Sequence, residues 1–546
     1  MVKNGNDGGM LMEDNAKNGN STWIINENQS DTQNLIDKKV GFTRQITLFG
    51  AIGLLVGTII GSGIFVSPSV VANYSASSGL ILIVWAGSGI LALFSALCYV
   101  ELGTMFPTSS GSDYTFVYEG FGDLPAFVSG FTNVVILYPM ALVMVALTCA
   151  SYIVLAAKIE EKYIKIIAAV IIGVIFILNC ASVNLGTTVQ EIFTAIKLLA
   201  LLMIAITGVV RLFQGHYQNF RQIFKGSKTN ISEICYAFYG GFWAYGGYSN
   251  LPTIAAELKN PIRDLPLAMW IGMIIITVFY LTVNAAYLTV MTPLEIATSN
   301  AVGVTFGNHV YGPAAFIIPV LVACSSFGTS NGSLISSSRM LNAVARKGHV
   351  PKFLSLIHKK RHTPSTSLFF ICTVSLIMLI PESSNFGNLL KYISFINAAS
   401  VGLTMSALLW LRYKRPDIER PFKVFLGLPV LVLLSLAYFT VAPFFEHPLE
   451  STYCLIAILV TIPIYYIFIK YEKIPKFVSN CFSSFASMLE KLNMGYPTEE
   501  LKEIFYFKRS SKEEINMQPK IEAYYYSHCH ELFEFQYKKS PDNNRL

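Results

Sequence analysis

Apolar residues in this chain run in long unbroken stretches, not in the narrow stripes of a soluble helix. Leu80 to Cys98 contains no charged residue, and Met269 to Met291 is a second stretch of the same kind. About 20 consecutive apolar residues suffice for a helix to cross the bilayer hydrocarbon. Such a segment must satisfy its own backbone polar groups, which favours helices. About twelve spans can be laid along the chain, near 45–73, 80–105, 124–156, 164–183, 189–211, 231–257, 266–291, 311–345, 365–381, 387–411, 424–442 and 452–470. The pattern predicts an all-α polytopic membrane protein, with its transmembrane domain over residues 42–470.

Composition agrees. Of 546 residues, 53% are hydrophobic and 13% charged, too few charges to cover a soluble surface. Residues 1–41 are rich in Asn, Asp, Gly and Ser and have no apolar core behind a basic start. That reads as a disordered tail and not a signal peptide. Residues 471–546 form a second polar tail. The net charge of +7 sits mostly in loops between spans, so no nucleic-acid partner is expected. With both termini cytoplasmic, nineteen Lys and Arg residues fall on the inner flanks and loops and eight on the outer ones. The positive-inside rule therefore selects cytoplasmic termini. Seven of the nine cysteines lie in or beside apolar spans and read as small buried residues. No metal-ligand spacing, Walker loop, His-Glu-x-x-His or Gly-x-Ser-x-Gly occurs. No cofactor, metal, catalytic residue or enzymatic activity is expected.

Two spans carry glycine clusters. The first reads Gly57-Thr-Ile59-Ile-Gly61-Ser62-Gly63-Ile-Phe65, and the sixth reads Tyr239-Gly-Gly-Phe242-Trp243-Ala-Tyr-Gly246-Gly247-Tyr248. Each glycine costs a helix about 1 kcal/mol relative to alanine, so clusters mark places where it unwinds. Freed N–H groups at a half-helix start can hold a carboxylate, and freed carbonyls at a half-helix end an ammonium. An amino acid carries both charges on one carbon. The clusters fall in spans one and six, each the first of a run of five. Five is odd, so the second run enters from the opposite face, as in a 5+5 inverted repeat with broken helices 1 and 6. Close packing of helices through small residues is the competing reading.

Polar residues inside spans add candidates. Lys197 lies within the fifth span, where a lysine costs about 2.5–3.5 kcal/mol. It should face the bundle and an oxygen partner, or else snorkel to the interface. The eighth span carries Ser325, Ser326, Thr329, Ser330, Asn331 and Ser333, which suits either a polar path or interhelical hydrogen bonding. Trp243, beside the second cluster, could close over a substrate or simply pack.

These segments resemble the amino acid–polyamine–organocation superfamily. They look most like its L-type amino acid transporters, the light subunits of heteromeric transporters. The resemblance covers roughly residues 42–470. It rests on Gly57 to Phe65, Cys98-Tyr-Val-Glu101-Leu-Gly103, Ala244 to Gly247, Glu257-Leu-Lys-Asn260-Pro-Ile-Arg263-Asp-Leu-Pro266, Ser325 to Gly328 with Asn331-Gly-Ser333, and Arg346-Lys-Gly-His349-Val-Pro351. It implies a LeuT-type fold and sodium-independent transport, often obligatory exchange. It also implies that backbone around Ile59, Ser62 and Gly63 holds the substrate carboxylate, and that backbone around Phe242, Trp243 and Gly246 receives the ammonium. On the same basis Trp243 is the gate and Lys197 the lysine standing in for sodium. Two departures matter. The family's light chains carry a cysteine between spans three and four, which links them to a heavy chain. Here that loop reads Ala156-Ala-Lys-Ile-Glu-Glu-Lys-Tyr163, so a disulfide-linked heavy chain is not expected, and a non-covalent partner is the compatible form. A family asparagine after the sixth-span break appears as Ser249, one place before Asn250. The expected function is exchange of neutral L-amino acids in a plasma membrane. Transport of cationic amino acids and amino acid sensing without transport are the alternatives.

Overall fold

The computed structural model describes residues 46–106, 112–181, 183–356, 358, 361, 363–445 and 448–470, without the side chains of 183–191, 253, 254, 256 and 257. Both predicted tails lie outside these residues. Every named element is helical; the one β contact among the described residues is a parallel bridge between Ile46 and Leu258.

The order begins with α1 (Leu48–Ile59) and α2 (Gly63–Ser75), two halves of one span bent by 49°. The spans α3 (Ser78–Met105), α5 (Asp123–Ala157), α6 (Ile164–Ala181) and α7 (Val183–Phe213) follow, with a short helix α4 (Ser112–Phe121) between α3 and α5. Next comes α8 (Ile231–Ala244), which passes through a loop into a 3₁₀ segment, Tyr248–Glu257. The chain continues through α9 (Pro261–Val290), the short α10 (Pro293–Thr298) and α11 (Val302–Tyr311), then α12 (Ile317–Arg346), α13 (Ser365–Leu379), α14 (Phe386–Lys414), α15 (Gly427–Val441) and α16 (Pro448–Lys470).

Nine of the described helices are long and apolar enough to cross a membrane, ten with the bent pair counted as one. The expected twelve is not reached on this measure. The sixth predicted span is interrupted after 14 residues at Ala244, and the ninth, α13, has 15. At 1.5 Å per residue 15 residues reach about 22 Å, short of the roughly 30 Å hydrocarbon core. Ile166, Ile177, Leu199, Val278 and Leu434 are exposed on the bundle's outside, where lipid is their solvent.

Local chemistry sets the helix starts. Thr47 caps α1 through the Gly50 N–H at 3.3 Å, and Ser77 caps α3 through that of Leu80 at 3.3 Å. Each satisfies one orphan donor of a first turn. At the far ends of the two broken spans, the Lys259 N–H donates to the Ile46 carbonyl at 3.0 Å. Nearby elements are clamped by Glu101, which is fully buried on α3. It accepts from Arg412 Nε of α14 at 2.8 Å, from a second Arg412 nitrogen, and from the Val424 N–H at 2.9 Å. A buried carboxylate needs this fork, because it has lost its water.

Candidate functional site

Both predicted interruptions are present. α1 stops at Ile59, Ile60 adopts an extended backbone (φ −69°, ψ 98°), and α2 starts at Gly63. Among the described residues, the N–H groups of Gly61, Ser62, Gly63 and Ile64 have no protein acceptor. Those of Phe65 and Val66 return to the Ser62 carbonyl at 3.1 and 3.2 Å. The Ser62 side chain makes no cap bond. Free donors thus gather at the positive end of a helix, the arrangement that attracts an anion. Ile59, Ser62 and Gly63 are all buried there.

The second break begins after Ala244. The Tyr245 N–H turns back to the Phe242 carbonyl at 3.2 Å and the Gly246 N–H to that of Trp243 at 2.9 Å. Gly247 has φ +109°, a conformation that favours glycine, and the 3₁₀ segment departs from it. These carbonyls are the negative end of α8, and each keeps a second lone pair. Phe242 is buried, Trp243 half-buried and Gly246 exposed, so this break borders open space.

Glycine lets the two broken helices touch. A Cβ on Gly63 would lie 2.7 Å from the Cα of Ala244, and one on Gly61 would lie 2.9 Å from Thr329 of α12. Tyr280 of α9 joins the two half-helix ends, its hydroxyl lying 3.2 Å from the Ile59 carbonyl and 3.0 Å from that of Ala244. One hydroxyl proton is shared by two carbonyls that belong to different breaks. Tyr280 is held by Trp85 and Tyr245, at ring distances of 5.6 and 4.9 Å. Nothing in the sequence marked it, since it is one tyrosine in an apolar span whose partners are set by packing.

Lys197 of α7 is buried and donates from Nζ to the Gly57 carbonyl in the last turn of α1. The amine lies at the negative end of that half-helix, where positive charge is favoured, and it does not snorkel. Along α12, the hydroxyls of Ser325, Ser326 and Ser330 are buried without a hydrogen-bond partner among the described residues. These hydroxyls keep hydrogen-bonding capacity that the packing among the described residues does not use. Asn331 instead accepts from Asn179 of α6 at 2.6 Å. The structure therefore gathers the two breaks, Lys197 and the polar face of α12. The side chain of Glu257 lies outside the described residues.

A second buried acid lies outside the spans. Asp113 of α4 accepts from Tyr99 of α3 and from Thr404 of α14 at 3.1 Å. Burial pushes its carboxyl above the usual range. Next to it, the Ser112 hydroxyl donates to the Ser249 carbonyl in the 3₁₀ segment at 3.1 Å. The loop helix α4 is thereby tied both to the second broken span and to α14. Sequence reasoning passed over Asp113 because a single acid in a polar loop carries no signal of its burial.

Residues 46–469 match the family model described as amino acid permease. The chain is 39% identical to the mouse (Mus musculus) b(0,+)-type amino acid transporter 1 over 451 residues, covering 82% of this chain and 92% of the relative. It is 38% identical over 443 residues to the human (Homo sapiens) cystine/glutamate transporter, with 80% and 88% covered. It is 39% identical over 463 residues to the human large neutral amino acids transporter small subunit 2, with 82% and 84% covered. Among solved structures, it resembles a nucleobase-cation-symport-1 family transporter in a closed conformation with bromovinylhydantoin bound. The TM-score is 0.50 at 13% identity, covering 78% of this chain and 93% of that one. That likeness concerns the fold alone.

Proposed function

Because the chain belongs to the amino acid permease family, a family of membrane transporters and not of enzymes, we propose that it exchanges neutral L-amino acids without sodium by alternating access. The observation that carries this reading is the pair of facing breaks. Free N–H donors lie at Gly61 to Ile64, with the carbonyl end of α8 beside them across the Gly63–Ala244 contact.

In this reading the carboxylate takes the N–H groups at the start of α2, where the helix dipole is positive. The ammonium takes second lone pairs of the carbonyls around Phe242 and Trp243, with Gly246 leaving room. Backbone alone recognises the part common to all amino acids, and the variable side chain faces elsewhere. Trp243, half-buried beside the break, is the lid. The Lys197 Nζ takes this position by donating to the Gly57 carbonyl, so no sodium is needed to hold the inner half of the broken span. Exchange follows from the same groups. An empty site leaves buried donors unpaired, at about 1–3 kcal/mol each, so the unloaded transporter returns slowly.

The lysine and arginine distribution supports cytoplasmic termini, and the membrane assigned in this reading is the plasma membrane. The loop at 156–163 has no cysteine, which supports a chain acting alone or with a non-covalent partner. Counterflow in proteoliposomes tests the function. Preloaded L-leucine should drive uptake of labelled L-leucine, saturably and equally with or without sodium. Trp243→Ala should cut this rate far more than it cuts protein yield. No counterflow across a broad amino acid panel would overturn the reading.

A further inference from the structure

The ends of four helices meet around one histidine at a single face of the bundle. His349 follows α12 in the loop after Gly348, which has φ +81°, and its side chain is only 4% exposed. It packs edge-on against the rings of Tyr114 of α4, Phe127 of α5 and Tyr465 of α16, at 5.5, 5.6 and 6.3 Å. Its Nδ1 lies 2.9 Å from the hydroxyl of Tyr114, which is buried. Its Nε2 lies 3.7 Å from a carboxylate oxygen of Asp123 of α5, on a side chain that is 59% exposed. One ring nitrogen is thus on a sealed hydroxyl and the other on an acid that reaches water.

These neighbours select one neutral tautomer. Nδ1 accepts from Tyr114 and the Nε2–H faces Asp123, so each nitrogen has a partner of the right kind. The charged ring carries N–H groups on both nitrogens. Tyr114 can then keep the contact only as an acceptor, which strands its own proton in a buried place. Asp123 gains from the same event, because its carboxylate faces a positive charge. One proton therefore weakens the hold on α4 and strengthens that on α5.

α4 carries such a change to the second helix break. Two residues before Tyr114, the Ser112 hydroxyl donates to the Ser249 carbonyl at 3.1 Å, in the segment that leaves that break. Among the described residues, the remaining titratable and charged groups around His349 are Tyr118 of α4 and Lys347 in its own loop. Glu119 of α4 is turned toward Arg415 of α14 at 3.9 Å. Burial pushes the imidazole below its ordinary value, against the pull of Asp123 and with the push of Lys347. The sealed ring is held neutral, and a ring opened to water takes up a proton more readily.

We propose that His349 is a proton switch on transport: protonated from the face where α3 and α12 end, it frees α4 and with it the Ser249 segment, so that the transporter rests open toward that face. The switch deepens the transport reading and rests on it for its readout by uptake.

The full chain in proteoliposomes of assigned orientation should respond to pH on the His349 face alone. Acidifying that face from about pH 7.5 to about pH 5.5 should lower the L-leucine KM there about threefold and raise the opposite-face KM, because each KM scales inversely with the fraction of transporter open to its face. L-leucine itself stays a zwitterion throughout. His349→Gln should keep the higher-pH wild-type KM on both faces, with no response to acid. Asp123→Asn alters an exposed side chain and leaves the histidine in place. It should move the midpoint of the response about 0.5 pH unit toward acid, the scale of a partly exposed ion pair. An acid response that persists in His349→Gln, or a wild-type KM flat with pH on both faces, would overturn the switch. Should His349→Gln fail to fold, an unmoved midpoint in Asp123→Asn overturns it instead. Hydrogen exchange of the α4 amides, corrected for the intrinsic effect of pH, needs no transport. Protection should fall on acidification in wild type and hold in His349→Gln. That result without counterflow supports the switch and sinks the transport reading, whereas wild-type protection indifferent to pH counts against the switch.

Discussion

Gly63 stands against Ala244 so closely that a β-carbon on the glycine would lie 2.7 Å from the Cα of the alanine. The contact is between backbones, which cannot swing aside as the tip of a long side chain can. It sets the distance between the donor end of one broken helix and the carbonyl end of the other. Gly63→Ala should therefore lower stability by about 1–3 kcal/mol, the scale of overpacking a tight core, and abolish leucine counterflow. Gly173→Ala is the matched control. That glycine is also helical but has nothing within 4 Å of the added carbon, so its unfolding midpoint should stay or rise. Thermal unfolding of the two variants side by side checks both.

Tyr280 supplies the second constraint between the breaks. Tyr280→Phe keeps the ring contacts with Trp85 and Tyr245 and removes the hydroxyl shared by the Ile59 and Ala244 carbonyls. A hydrogen bond contributes about 0.5–1.5 kcal/mol net, so the unfolding midpoint should drop only slightly. Counterflow should fall several-fold, because both half-helix ends lose their common tether. A variant with the wild-type rate would show that the tether is idle in transport.

Lys197 holds the Gly57 carbonyl from within the bundle. Replacing sodium by an organic cation should leave wild-type counterflow unchanged, while Lys197→Ala should reduce it at least tenfold, a loss of about 1.4 kcal/mol. A wild-type rate that depends steeply on sodium would contradict the role given to this lysine.

The Glu101–Arg412 pair tests how far the loop after α14 is anchored. Glu101→Gln alone leaves a buried guanidinium without its counter-charge and should cost about 3–5 kcal/mol. Replacing both residues with methionine should recover only part of that stability, since the buried Arg420, whose Nε lies 3.9 Å from Glu101, still loses its counter-charge. Unfolding midpoints of the single and double variants decide the matter.

Asp113 makes a prediction about pH. Its carboxyl is held above the ordinary range by burial, so the folded chain binds that proton more tightly than the unfolded chain does. Stability from this group is greatest at pH below the ordinary carboxylate pKa, and it declines as pH rises through the folded value. Asp113→Asn keeps an acceptor for Tyr99 and Thr404 and removes the charge. Its midpoint should vary less with pH across that window and should lie above wild type at the alkaline end. Parallel wild-type and variant curves would refute this.

The sequence by itself determined the solvent and the places of weakness. Long charge-free runs such as Leu80 to Cys98 admit only a lipid surround, and glycine's helix cost is a local property. The breaks at Ile59–Gly63 and after Ala244 were therefore legible before any coordinates. So was the need for Lys197 to face inward, because a charge in hydrocarbon must find an oxygen. The number of spans was less legible, because an unwound sixth span and a 15-residue helix do not register as membrane-crossing lengths. Tertiary structure alone chose the partners. Tyr280 reaches a carbonyl 221 residues away, Asp113 is sealed by residues of two other helices, and His349 meets Tyr114 and Asp123 only when α4 and α5 pack beside the end of α12. Hydrophobicity and backbone propensity act residue by residue, whereas a hydrogen bond or an ion pair depends on where distant helices settle.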